Sequence, residues 1–210
     1  MDWLLIIVLL PLLAAAAIGF VPGSQLRTIR GITLGASVLA LLCALIAFCS
    51  FKVGGGLQFE TKWTWVESLG LHFHLAADGI NIGIILMGAI VAFAAACCAD
   101  DITHRMKEFH ILLNLMIGGI LGAFASMDLF FFYFFHELAL VPTFIMIGVW
   151  GRGANRNYAT YKITLYLSLG ALLALIGLIG VYVQTGAESF SIPDLIAKAR
   201  ETPIDEAAQQ

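Results

Sequence analysis

The sequence predicts an all-α membrane protein with six transmembrane helices. Three observations carry that reading. Hydrophobic residues make up 60% of the chain and charged residues 12%, about half the charge usual in a soluble domain. The apolar residues fall into long runs, and roughly 20 of them in a helix are needed to cross a hydrocarbon core about 30 Å thick. Between the runs lie short polar segments with the glycines, prolines and charges that end helices.

The first run, residues 3–21, contains Pro11 and stops at Pro22-Gly23-Ser24, with Arg27 and Arg30 beyond. Its opening Asp2 and its continuation into further spans set it apart from a cleaved signal peptide. The second span, 31–51, is closed by Lys52-Val53-Gly54-Gly55-Gly56, where glycine makes helix extension costly. A polar connection then runs to Asp78, and within it Phe59-Glu60-Thr61-Lys62-Trp63-Thr64-Trp65 alternates as a strand does, with tryptophans suited to a membrane interface. His72 and His74, two residues apart, would share a strand face; without a further His or Cys nearby, an exposed hairpin is favoured over a metal site.

Asp78 is placed to cap the third span, which continues to about residue 99. The fourth span, 109–126, carries Gly118, Gly119, Gly122 and Ala123, small residues that let helices approach closely. A tight turn at Met127-Asp128 leads into the fifth, 128–151, and the sixth covers 158–183. The domain reading is therefore 1–51 for two spans, 52–78 for an extramembrane hairpin-like loop, 79–183 for four spans and 184–210 for an outer tail, amphipathic over 192–200 and frayed from Glu201. Cys43, Cys49, Cys97 and Cys98 lie in apolar runs and read as small buried thiols.

Six spans put Arg27, Arg30, Arg105, Lys107, Arg152 and Arg156 on one side, in short loops. The positive-inside rule makes that side cytoplasmic and both termini external. The net charge of −3 and the absence of a basic cluster argue against nucleic-acid binding.

Of the acids, Glu137 lies deepest in an apolar run. It is roughly 13 Å into a helix counted from Asp128, near the centre of the bilayer. A carboxylate there is costly and marks function by default. A lone buried carboxyl favours its neutral form and a nearby cation favours the ionised one, the property a proton relay needs. Pro142 has no N–H, so the carbonyl of Leu138 loses its helical donor beside the acid and becomes a place for water. His136 points about 100° away on the helix and is read either as a relay group or as a neutral histidine bonded between helices. Lys162, at the start of the sixth span, either reaches inward or snorkels to the interface, with Tyr158, Tyr161 and Tyr166 around it.

The stretch Phe134-Phe135-His136-Glu137-Leu138-Ala139-Leu140-Val141-Pro142-Thr143, then Ile147-Gly148-Val149-Trp150-Gly151 and Ala159-Thr160-Tyr161-Lys162-Ile163-Thr164-Leu165-Tyr166, resembles the chain M (mitochondrial subunit 4) family of proton-pumping NADH:quinone oxidoreductase, respiratory complex I. The resemblance covers essentially the whole chain. It implies that Glu137 matches the essential membrane glutamate and Lys162 the lysine of the sixth helix, in an antiporter-like fold of inverted repeats related to Mrp sodium/proton antiporters. His136 departs from the aromatic residue usual there. Family members continue into further helices carrying the channel lysines, so the chain is expected to be the N-terminal portion of such a subunit, with the start of the antiporter-like repeat in 79–183. The resemblance also implies a bacterial inner-membrane location, other membrane-arm subunits as partners including one that supplies the missing helices, and no cofactor on this chain. NADH, flavin, iron–sulfur clusters and quinone would sit in partner subunits; no dinucleotide, flavin or cysteine-cluster motif is found in this sequence. Two other readings remain open at this point, a sodium/proton antiporter chain and a truncated, non-transporting scaffold.

Overall fold

The computed structural model describes residues 2–186 and 189–201. Six helices are long and apolar enough to cross a membrane. They are α1 (Trp3–Phe20), α2 (Leu26–Ser50), α3 (Asn81–Cys98), α4 (Met106–Ala125), α5 (Leu129–Trp150) and α6 (Arg156–Thr185). An antiparallel hairpin, β1 (Gln58–Val66) and β2 (Leu71–Ala77), separates α2 from α3, and a short helix α7 (Ile192–Glu201) follows α6.

The bundle is organised around α4, which packs against α1, α2, α3 and α5. Its glycines explain how. A Cβ on Gly119 would come within 2.6 Å of the Ala139 nitrogen and 2.8 Å of the Phe135 oxygen, and one on Gly122 would run into the Phe135 ring. Gly118 seats the Leu12 side chain of α1 in the same way. In lipid, where apolar surface gains little by leaving one apolar medium for another, such backbone proximity is what holds helices together. By contrast α6 leans mainly on α5, and Ala171 and Thr185 are its buried residues.

The ends of the bundle establish how the connections alternate. At one end β2, the turn before α5 and the segment before α7 form a ribbon: Leu75 pairs with Ser126, and Asp128 with Ser191. The Met127 N–H donates to the His74 carbonyl at 2.8 Å, and the Ile192 N–H to the Met127 carbonyl at 2.8 Å. At the opposite end Lys107 Nζ donates to the Gly19 carbonyl at 2.8 Å and Trp150 Nε1 to the His104 carbonyl at 2.7 Å. Asp78 caps α3 as expected, its Oδ1 accepting from the N–H groups of Ile80 and Asn81.

Several expectations are corrected. The second helix begins at Leu26, so Arg27 and Arg30 belong to its first turns; nothing after Gln25 breaks a helix, and arginine is a good helix former. The hairpin is not uniformly exposed, because β2 faces the bundle and leaves His74 2% exposed. Cys49, Cys97 and Cys98 are exposed on the outside of the bundle and Cys43 is half-buried, since an apolar thiol meets no penalty against lipid. Glu201 closes α7, and residues 202–210 lie outside those described.

Candidate functional site

The candidate site is built on α5. Asp128 fixes the start of that helix: its Oδ1 accepts from the N–H groups of Phe130 and Phe131, and its Oδ2 accepts from the N–H of His72 on β2. The aromatic run that follows divides between two faces. Phe131 and Phe135 are buried towards α4, where Phe73 of the hairpin meets both rings edge-on. Phe130 and Tyr133 lie on the other face and, with Leu175, Leu178, Ile179 and Phe190, line an apolar cleft of about 340 Å³ between α5 and α6. Glu137 is one turn beyond Tyr133 and so continues that stripe.

Two observations set the register of α6 against α5. Tyr133 and Leu175 line the same cleft, and a Cβ on Gly148 would meet Thr160 at 3.2 Å. The same antiparallel register puts Glu137 opposite Ala171, the residue that α6 buries in its middle. Lys162 is nine positions away, roughly 13 Å along the helix axis. Its side chain is exposed. The structure therefore does not bring Lys162 to Glu137.

It does bring His136 there. His136 Nδ1 is 3.9 Å from Glu137 Oε1, although neighbouring helical residues diverge, and the His136 ring lies tilted 6.2 Å from that of Tyr133. Tyr133 stands one helical turn before that carboxylate on the same face of α5. Glu137 Oε1 is itself buried and has no hydrogen-bond partner among the described residues. Beyond it α5 remains helical through Pro142, and the Thr143 hydroxyl donates to the Ala139 carbonyl at 2.8 Å. A carboxylate, an imidazole, a phenol and a carbonyl deprived of its donor thus occupy two turns of one transmembrane helix. Such a set can take up, hold and release a proton if water reaches it.

Two polar features escaped the sequence reading. Asp128 is fully buried, more so than Glu137. Its carboxyl is pushed above the usual range by burial, against the opposing effect of its N–H donors. The signal was the Asp placed just before an apolar helical run, an N-cap pattern. The second is a node between α2 and α4: Asn114 Nδ2 donates to Thr33 Oγ1 at 2.9 Å and to the His110 carbonyl at 2.7 Å, while His110 Nδ1 lies 3.0 Å from Thr33 Oγ1. The spacing of His110 and Asn114, one turn apart in an apolar span, is its trace in the sequence. Among the described residues no group of three or more His, Cys, Asp or Glu is placed to hold a metal ion.

These features define a class, the multi-pass helical membrane proteins with an ionisable group held inside the bundle. Residues 126–207 match the family model described as NADH:quinone oxidoreductase/Mrp antiporter, TM. The chain is 36% identical over 190 residues to NAD(P)H-quinone oxidoreductase chain 4, chloroplastic, of Angiopteris evecta, covering 89% of this chain and 38% of the relative. It is 32% identical over 203 residues to chain 4 1 of the NAD(P)H-quinone oxidoreductase of Synechococcus sp. (strain JA-3-3Ab), covering 97% and 38%. Among solved structures it superposes on a chain of respiratory complex I from Thermus thermophilus with a TM-score of 0.80 at 27% identity, covering 99% of this chain and 40% of that one. A chain of the Mrp complex from Dietzia sp. DQ12-45-1b shares the fold, with a TM-score of 0.75 at 16% identity, 98% of this chain and 22% of that one being covered. The chain is thus similar to the N-terminal part of an antiporter-like subunit, and its residues 126–207 carry the membrane domain of the NADH:quinone oxidoreductase/Mrp antiporter type. It spans about two fifths of the length of the chain 4 relatives it matches.

Proposed function

We propose that the chain is a membrane-arm subunit of a proton-translocating NADH:quinone oxidoreductase and that Glu137 carries protons in it. The supporting observation is the position of the carboxylate: midway along α5, on the stripe turned to α6, with one buried oxygen lacking a donor. A carboxylate at this depth is functional by default, and the charge and water that face α5 here decide whether Glu137 passes a proton on. His136, already beside it, exchanges that proton, and the donor-free Leu138 carbonyl orders the water through which it travels. Lys162, roughly 13 Å off, acts through such water.

In this reading the exposed face of α6 receives further helices within the membrane arm. NADH, flavin, iron–sulfur clusters and quinone belong to other subunits, and this chain contributes no redox centre. The chain lies in the bacterial inner membrane with its arginine-rich connections inside and its N-terminus outside, as the charge asymmetry supports.

Energised inner-membrane vesicles carrying the assembled complex test this. With Glu137→Gln, NADH-driven acidification is expected to fall at least tenfold whether or not sodium is present. Full acidification, with the complex assembled and quinone reduction intact, would overturn the reading and leave a scaffold role. Sodium-dependent exchange without NADH would instead mark an Mrp-type antiporter.

A further inference from the structure

We propose that the polar node between α2 and α4 is an internal water-binding site, entered from the arginine-bearing end of the bundle and closed towards the other. Three observations lead there. The first is a buried acceptor. Thr33, Ser37, His110 and Asn114 are each at most 3% exposed, in spans whose other buried residues are apolar. The His110 carbonyl can only accept, so its 2.7 Å contact fixes which end of the Asn114 amide carries the nitrogen. Both hydrogens of Nδ2 are then spent, one on that carbonyl and one on Thr33 Oγ1 at 2.9 Å. Asn114 Oδ1 is left buried, with no donor among the described residues.

The second observation is that the hydroxyls of the node are committed elsewhere. Ser37 donates to the Thr33 carbonyl at 2.8 Å. The Thr33 hydroxyl, accepting from Asn114, stands 3.0 Å from His110 Nδ1, which takes its hydrogen when the neutral imidazole carries its own on Nε2. The hydrocarbon around the bundle has no donor to give. A buried acceptor that the protein leaves in this state is met by water, which donates twice and is small enough to lodge between helices. Ser37 Oγ, one turn beyond Thr33 on the same face of α2, keeps lone pairs for the second hydrogen.

The third is access. Arg30, Thr33 and Ser37 follow one another at helical spacing and make a polar stripe down one face of α2. Arg30, half-buried and engaged within the protein, marks its outer end. Asn114 lies roughly 12 Å along α4 from Met106. Beyond it the buried side chains are Ala40, Ala44 and Ala47 of α2 and Ile117, Leu121 and Ala125 of α4, and water goes no further. The site is a one-ended inlet that brings an exchangeable proton to the His110 and Thr33 pair. It is separate from the seam of α5 and α6 that holds Glu137, and water there does not depend on whether Glu137 carries protons.

The test is solid-state NMR of the full chain in lipid bilayers, reading the transfer of polarisation from water protons to assigned side chains. In the parent, transfer to the Asn114 amide is expected to build up about threefold faster than transfer to the methyls of Ala44 and Ala47. In Asn114→Leu, which removes the acceptor at similar size, transfer to the His110 ring is expected to fall about threefold. Transfer to Asn114 as slow as that to Ala44 in the parent overturns the site, and this arm needs no variant to fold. Transfer to Ala44 and Ala47 as fast as that to Asn114 shows water running through the bundle and overturns the closed end. Undiminished transfer to the His110 ring in a folded Asn114→Leu chain overturns Asn114 as the group that holds the water.

Discussion

Asp128 holds together three pieces of chain that are far apart in sequence. Its carboxyl takes N–H donors from the first turn of α5 and from β2, and its backbone pairs with Ser191 ahead of α7. Asp128→Ala removes the cap and leaves a buried donor on His72 unpaired, which costs about 2–4 kcal/mol. Asp128→Asn keeps an acceptor and costs less, and melting of the detergent-solubilised chain should separate the two. Next to it, His74 is held below the ordinary imidazole range, first by burial and against the pull of Glu60. A folded-state pKa below the unfolded one gives stability that is present above the unfolded value and lost as pH falls through the folded one. Asp128, raised by burial, works in the opposite sense: its contribution is present below the unfolded carboxylate value and lost as pH rises through the folded one. Taking the chain from about pH 7 to about pH 5 therefore loosens the hairpin through His74. His74→Gln should lose most of that shift in melting temperature, and an undiminished shift would place its origin elsewhere.

Among the elements, α4 and α5 form the pair on which the site depends. Gly119 faces backbone atoms of α5, which cannot rotate away, whereas Gly118 faces the Leu12 side chain, which can. Gly119→Ala should cost about 1–3 kcal/mol and displace α5, while Gly118→Ala costs less. Cross-linking yield between cysteines introduced on the two helices reads out the displacement. The glycine stripe was legible because small residues in a membrane helix have few other uses. The strand of β1 was legible from its alternation of polar and apolar residues. The start of α2 was not: charged residues next to a turn signal look like a loop, and their helical state depends on the absence of any breaker, not on a positive signal. The burial of His74 and Asp128 was also hidden, because it arises from β2, Ser126–Asp128 and Phe190–Ile192 meeting at one end, and no local pattern records such a meeting. Glu137 was legible as a costly charge, but its neighbours were not: helical divergence suggested that His136 points away, while the register of α6, visible only in three dimensions, keeps Lys162 apart.

At the scale of the whole molecule, one well-packed group of helices, α1 to α5, presents a sixth with most of its surface uncovered. Glu137 sits at the seam between the two, where a change in what covers α6 alters the charge and water facing the carboxylate. This gives Lys162 a graded part. With their positions offset by roughly 13 Å along the helix axis, Lys162→Ala should slow proton translocation several-fold without the loss expected on removing the acid itself. The central claim is that Glu137 is the group in this chain that carries the proton. The most direct measurement is the ratio of protons moved to NADH oxidised, in proteoliposomes holding the assembled complex, with Glu137→Gln compared to Glu137→Asp. A ratio that falls in the glutamine variant and largely recovers in the aspartate variant is the predicted result. An unchanged ratio in Glu137→Gln, in a complex shown to be fully assembled, would contradict it.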